Sequence, residues 1–296
     1  MVAAFAAVYL VWGSTFLAIR WAVETIPPLS MMAGRCLLGG GLLLLIWRLR
    51  DRSAPWPAPR EWAGALVVGL LLFVGCHGLL AYLEQRVPSG IAALCLATIP
   101  LFVPLLAWLL TGAGRPAAGM TAALVAGFCG VALLVAAQES GGALDAGDAG
   151  LLLFSAFCWA AGTVVSRRVR MPEAPLATAA LPLLLASVAL ALLAILTGDA
   201  GGIDPGQITG RSVAGMLYLV VMGTVVTFAA FMWLLGHVAP SRVATYAFVN
   251  PVVAVLLGWA IADEPLTTGM LAATCVIIAA VAVAVTSPAR ATAREA

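Results

Sequence analysis

Lysine is absent from this sequence: all fifteen basic residues are arginine. Charge of either sign is scarce, at 9% of the 296 residues, where ordinary soluble domains carry roughly 25%. Apolar residues make up 63% against a usual roughly 45–50%. Depletion on this scale excludes a soluble single core and indicates an all-α polytopic membrane protein. The missing lysine reads as base composition of the genome rather than chemistry. The six cysteines (Cys36, Cys76, Cys95, Cys129, Cys158, Cys275) all fall in apolar runs, and none forms a CxxC or a metal-ligand spacing with histidine. They read as small packing residues, so no metal and no cofactor is expected, and no nucleic-acid partner either. The first apolar run reads as a span rather than a cleavable signal peptide, because no small-residue cleavage site followed by polar sequence closes it.

A bilayer core needs about 20 apolar residues per helix. Runs between polar or Pro/Gly-rich breaks predict ten spans, at 2–22, 29–48, 62–84, 88–110, 118–137, 148–167, 175–196, 212–236, 240–261 and 266–286. The longest connections, Leu49–Arg60 and Thr197–Arg211, are too short for a soluble domain. One set of loops collects Arg48, Arg50, Arg52, Arg60, Arg115, Arg167, Arg168, Arg170, Arg242, Arg290 and Arg294; the other, acid-rich set has Arg20, Arg86 and Arg211 against Glu24, Glu84, Glu139, Asp145, Asp148, Asp199, Asp204, Asp263 and Glu264. Eleven arginines against three predict the first set, and with it both termini, to be cytoplasmic.

The chain also repeats itself. Trp12, Arg20 and Pro28 match Trp159, Arg167 and Pro175 at one offset of 147. QRVPSGIAALCLATIPLFVPLLAW echoes HVAPSRVATYAFVNPVVAVLLGW, with Pro100 and Trp108 matching Pro251 and Trp259 at offset 151, and Pro88 matching Pro240 at 152. Two five-helix repeats follow, at 1–142 and 143–296. Five is odd, so the second copy must cross in the opposite sense, which is the architecture of alternating-access transporters.

Within the apolar runs a few groups stand out. Proline removes a backbone donor and crowds the carbonyl four residues earlier, so Pro100 and Pro251 are candidate hinges or gates. Asn250 would line a wet cavity or patch that kink. Trp12, Ser14 and Thr15 cluster in the first span; Ser155, Trp159, Thr163 and Ser166 share a face in the sixth; Thr224, Thr227 and Phe231 share one in the eighth; and Tyr246 lies one turn from Asn250. A single hydroxyl more often bonds its own helix, but the set predicts a polar-aromatic cavity between spans 1, 3, 4, 6, 8 and 9. His77 in the third span would orient a substrate, carry a proton, or bond a neighbouring carbonyl. Arg35 would attract an anionic group or, the favoured reading, snorkel outward and anchor its helix. Glu84 and the Asp263-Glu264 pair could titrate, but they fall at helix ends, where a solvated boundary charge is the favoured reading.

With ten spans, an inverted duplication, the VWGSTFLAIRW opening and two PSxxA…P segments, the chain resembles the drug/metabolite transporter superfamily, in its EamA branch, which includes the YddG-type amino-acid exporters. The resemblance implies export of amino acids or other small metabolites by alternating access through a central cavity. No central acid occupies Val2–Ala22 or Asp148–Arg167, which argues against the carboxylate-driven export of organic cations known in the small multidrug-resistance branch. The polar and aromatic residues of the spans, Trp12, Ser14, Thr15, His77, Tyr82, Trp159, Thr163, Thr227, Tyr246 and Asn250, are then the expected substrate contacts, in a multi-pass inner-membrane protein whose partners are its small-molecule cargo and the lipid bilayer. Two repeats already supply a complete site, so a functional monomer is expected, although small-residue faces in spans 5 and 10 offer a dimerisation surface. Export of another metabolite or a drug-like compound is the alternative. An intramembrane enzyme, with Ser89 and His77 as the only nucleophile and base in prospect, is disfavoured because Ser89 sits at a helix start.

Overall fold

The computed structural model of the chain describes residues 1–112, 118–136, 144–237 and 246–286, and among these every regular element is helical. α1 covers Val2–Ala22, α2 Pro28–Arg50 and α3 Pro59–Leu83. α4 (Ser89–Leu96) and α5 (Ile99–Thr111) follow, then α6 (Ala118–Ala136), α7 (Ala146–Val165) and α8 (Pro175–Leu196). α9 begins at Gly210–Tyr218, continues as a π-helix over Leu219–Val226 and returns to α-helix over Thr227–His237. α10 (Tyr246–Ala262) and α11 (Thr268–Thr286) complete the bundle. Seven stretches are long and apolar enough to cross a bilayer, namely α1, α2, α3, α4 with α5, α6, α7 and α8; α9 to α11 carry shorter apolar stretches at Gly210–Val226, Val249–Ala262 and Thr268–Val283.

Local sequence explains most ends. Proline starts α2, α3 and α8, where its missing N–H is unpaired anyway. The Asp145 carboxylate accepts from the Asp148 amide, capping α7, and the Thr209 hydroxyl accepts from the Ser212 amide, capping α9. Three helices loosen into π-turns at mid-span: Ala7–Val11 in α1, Leu70–Gly78 in α3 and Leu219–Val226 in α9. Such segments expose carbonyls that side chains can reach.

α2 packs most extensively on α8, and α6 on α11. α1 packs on α9 and α10; α7 packs on α3 and on α4 and α5; α4 lies against α10. The small-residue faces of α6 and α11 therefore meet within one chain, with Val131, Leu134, Ala273 and Ile277 buried between them. Leucines such as Leu10, Leu45, Leu109 and Leu192 are exposed, as lipid-facing positions should be.

The ends of the bundle sort by charge. At one end Arg86 pairs with Asp148 through two bonds of 2.9 and 2.6 Å, Arg211 meets Glu24 at 3.4 Å, and Asp199 accepts from the amides of Leu29 and Ser30 at 3.3 and 2.9 Å. These are all residues of the acid-rich loops. At the other end a concavity of about 320 Å³ is lined by Arg60, Gly64, Val169 and Arg170, from two arginine-rich loops. Arg115, Glu139, Pro240, Arg242, Arg290, Arg294, Glu295 and the repeat boundary at 142/143 lie outside the described residues, as does the predicted start of the ninth span.

Candidate functional site

The first cluster of predicted residues forms where α1, α9 and α10 meet. The Trp12 indole donates to the Gly223 carbonyl in the π-segment of α9 at 3.2 Å. Its ring lies 5.2 Å from Phe231 and 5.1 Å from Tyr246, the latter edge-on. α1 and α10 approach closely because residue 13 is glycine; a β-carbon there would sit 2.6 Å from Cβ of Val253 and 3.1 Å from the Asn250 carbonyl. With its amide nitrogen turned inward, Asn250 donates to the carbonyls of Tyr9 at 3.1 Å and Tyr246 at 3.2 Å. Pro251 frees a different carbonyl, that of Ala247, so the asparagine ties α10 to the π-segment of α1 rather than patching the proline. Ser14 shares a 2.7 Å hydrogen bond with the Tyr218 hydroxyl, and Thr15 donates to the Trp12 carbonyl at 2.6 Å. Thr227, fully buried, donates to the Met222 carbonyl at 2.7 Å.

A second cluster of similar make-up forms between α3 and α7. Trp159 lies 4.9 Å from the His77 ring and 6.4 Å from Phe73, both in the π-segment of α3. His77 Nδ1 is 3.0 Å from the Leu72 carbonyl. A carbonyl only accepts, so Nδ1 carries the hydrogen, and Nε2 of the neutral ring is left as an acceptor. Thr163 donates to the Trp159 carbonyl at 2.9 Å, and Ser155 to that of Cys76 at 2.8 Å. The predicted residues thus fall in two groups, each a tryptophan beside a π-segment.

The remaining predicted residues lie elsewhere. Tyr82 is 47% exposed, with the Arg86 guanidinium 5.0 Å above its ring, apart from both clusters. Pro100 stands in the first turn of α5, after a break at Ala97–Thr98, where its missing N–H costs nothing; the in-helix proline of α5 is Pro104. Pro251 lies inside the continuous α10. The two candidate hinges therefore differ, one restarting a helix and one embedded in it.

Two readings of charge change. Arg35 does not snorkel: it is 5% exposed, packed near Gly223, and its Nη1 has no partner among the described residues. Glu84 is not a solvated boundary charge. It is fully buried, and neither carboxylate oxygen has a hydrogen-bond partner among the described residues. Its backbone carbonyl accepts from Arg20 Nη1 at 2.5 Å, which also reaches the Val87 carbonyl at 3.3 Å. The Glu264 carboxylate accepts from the amides of Ser89 at 2.7 Å and Gly90 at 3.0 Å, capping α4. Burial and the nearby Glu264 push the Glu84 carboxyl well above the usual carboxylate range, against the opposing pull of Arg20 and Arg35. Nothing in the residue's identity announces this, since a glutamate at the end of an apolar run normally faces water. Phe73 and Tyr218 join the clusters without a signal beyond aromatic character, whereas Phe231 is marked by the face it shares with Thr224 and Thr227. Ser89 and His77 belong to different surroundings, the one capped by Glu264 and the other engaged with Leu72.

Long apolar helices packed in this way define the class of polytopic membrane proteins. Residues 1–136 and 149–286 each match the EamA-like transporter family, and the chain belongs to that family. It is 37% identical over 264 residues to the inner membrane transporter YedA of Escherichia coli (strain K12), covering 88% of this chain and 82% of YedA. It is 28% identical over 272 residues to the transporter YvbV of Bacillus subtilis (strain 168), covering 92% and 87%. A solved crystal structure of a protein has a TM-score of 0.62 at 21% identity, covering 95% of this chain and 94% of that one, a likeness of fold alone.

Proposed function

We propose that this protein exports amino acids or related small metabolites across the inner membrane, by alternating access between two inverted five-helix repeats, 1–142 and 143–296. The observation that carries this reading is the symmetry of the packing. Exchanging the halves maps α2 onto α8, the most extensive helix pair, and α6 onto α11, which pack mainly on each other. The same exchange maps the packing of α1 on α9 and α10 onto that of α7 on α3 and on α4 and α5. The separate family matches to each half support the duplication, and the clustering of acid-rich loops at one end supports ten crossings with both termini on the arginine-rich, cytoplasmic side.

In this reading Trp12 and Trp159 flank the path from its two symmetric sides, each against a π-segment that flexes more readily than a regular helix. Ser14, Thr15, His77 and Tyr246 offer donors and acceptors suited to a net-neutral zwitterion, with Thr163, Thr227 and Asn250 holding the surrounding backbone, and the monomer suffices. Tyr82 would serve at the mouth of the path rather than its centre. The break before Pro100 and the proline of α10 supply unequal hinges. Proteoliposome uptake of labelled amino acids tests the reading: saturable uptake stimulated by unlabelled substrate on the far side supports it, and its absence from folded protein for every amino acid contradicts the substrate class.

A further inference from the structure

At the acid-rich end, four chain segments meet around one unpaired carboxyl. Glu84 directly follows α3; Arg20, from α1, bonds the carbonyls of Glu84 and Val87; Glu264, just beyond α10, caps α4. Both oxygens of Glu84, the Ser89 hydroxyl and Arg35 Nη1 are buried without partners among the described residues. The charged groups within electrostatic reach of Glu84 are Arg20 from α1, Arg35 from α2 and Glu264. Nearby Arg86 is already committed to Asp148 of α7, and Cys36 accompanies Arg35 on α2. Neither guanidinium donates to the Glu84 carboxylate: Arg20 spends Nη1 on carbonyls. A dry carboxylate with no donors and a second carboxylate close by is costly when charged and tolerable when neutral.

We propose that Glu84 binds a proton exchanged with the acid-rich side of the membrane, and that this proton latches that end of the transport path. The proton adds to a carboxylate oxygen, forming a neutral O–H, and α1, α3, α4 and the α10–α11 turn stay together. When the proton leaves to water, the new charge repels Glu264 and attracts Arg20 and Arg35, pulling Arg20 off the carbonyls and Glu264 off the α4 amides. The helices so released are those carrying the Trp12 and His77 clusters. That role rests on the transport reading, whereas the proton site itself does not.

The test therefore uses no substrate. Infrared difference spectra of the full chain in nanodiscs, stepped from neutral to alkaline buffer, where the solvated carboxylates are already ionised, should show a protonated-carboxyl band that disappears as pH rises and is missing in Glu84→Gln. Glu264→Gln removes a negative neighbour and should therefore move the midpoint to lower pH. At one alkaline pH, hydrogen exchange at the Ser89 and Gly90 amides should be about tenfold faster in the wild type than in Glu84→Gln, and equal at acidic pH. A band absent at every pH, present at every pH, or retained in Glu84→Gln overturns the proposal, as does equal exchange at alkaline pH. A Glu84→Gln variant that fails to fold leaves the wild-type titration and the Glu264→Gln shift to decide. Failure of amino-acid uptake with an intact titrating band would sink the transport reading and leave the proton site standing.

Discussion

The Trp12 indole and the Gly223 carbonyl, 211 residues apart, are joined by a 3.2 Å hydrogen bond that ties the middle of α1 to the π-segment of α9. A regular helix would keep that carbonyl for its own ladder; the π-segment makes it available. The bond thus links a local irregularity of the backbone to the aromatic wall built by Phe231 and Tyr246.

Truncating that wall has a graded cost. Trp12→Ala is expected to destabilise the protein by about 3–5 kcal/mol through lost ring packing. Trp12→Phe keeps a ring against Phe231 and Tyr246 and forfeits the hydrogen bond, about 0.6–1 kcal/mol in a membrane helix. Unfolding in mixed micelles measures both, and uptake should fall further in the alanine variant than in the phenylalanine one.

Asn250 should behave as an interhelical tie. Asn250→Leu removes the donors to Tyr9 and Tyr246 and is expected to cost about 1 kcal/mol. In double-mutant cycles it should couple to Gly13→Ala, which pushes α1 from α10 at the same place, and be additive with Trp159→Ala in the other cluster. Additivity with Gly13→Ala would show that the asparagine serves only its own helix.

Gly258 protects the cap on α4. A β-carbon at 258 would collide with Glu264 Oε2 and come within 3.3 Å of the Ser89 hydroxyl. Gly258→Ala should displace the carboxylate and cost about 1–2 kcal/mol, the scale of a lost helix cap. Because Glu264→Ala removes the same cap, the double variant should be scarcely less stable than the worse single one, as micellar unfolding would reveal.

Stability should fall as pH rises, through Glu84. Its carboxyl is held above the usual range, so between the unfolded and folded values the native state binds more protons than the unfolded one. Stability is full below the unfolded value, declines as pH climbs towards the folded value and levels off above it. Thermal melts across pH should show this slope, and Glu84→Gln should flatten it while leaving acid-side stability intact.

Hydropathy made much of the fold legible. The predicted span 175–196 coincides with α8, and 29–48 and 62–84 fall within a few residues of α2 and α3, since a bilayer demands long apolar runs and proline marks where they start. The π-segments were not legible, because no residue type encodes a local unwinding that neighbours stabilise. Nor was the break at Ala97–Thr98: Pro100 signalled a disturbance, but whether a proline restarts a helix or stays inside it depends on what packs there. Individual candidate residues stood out by residue type, yet their division into a Trp12 and a Trp159 group depends on which helices pack together. Arg35 and Glu84 were misread for one reason. Burial near a helix end is set by loops and neighbouring helices far along the chain, and Glu264 lies 175 residues from the amide it caps.

The measurement that bears most directly on the account is counterflow in proteoliposomes holding purified protein. Labelled amino acid should accumulate transiently against excess unlabelled substrate inside, saturate with concentration, and be lost in both Trp12→Ala and Trp159→Ala, since the two symmetric sides serve one path. Uptake that neither saturates nor responds to internal substrate, or that survives both substitutions in folded protein, would contradict it.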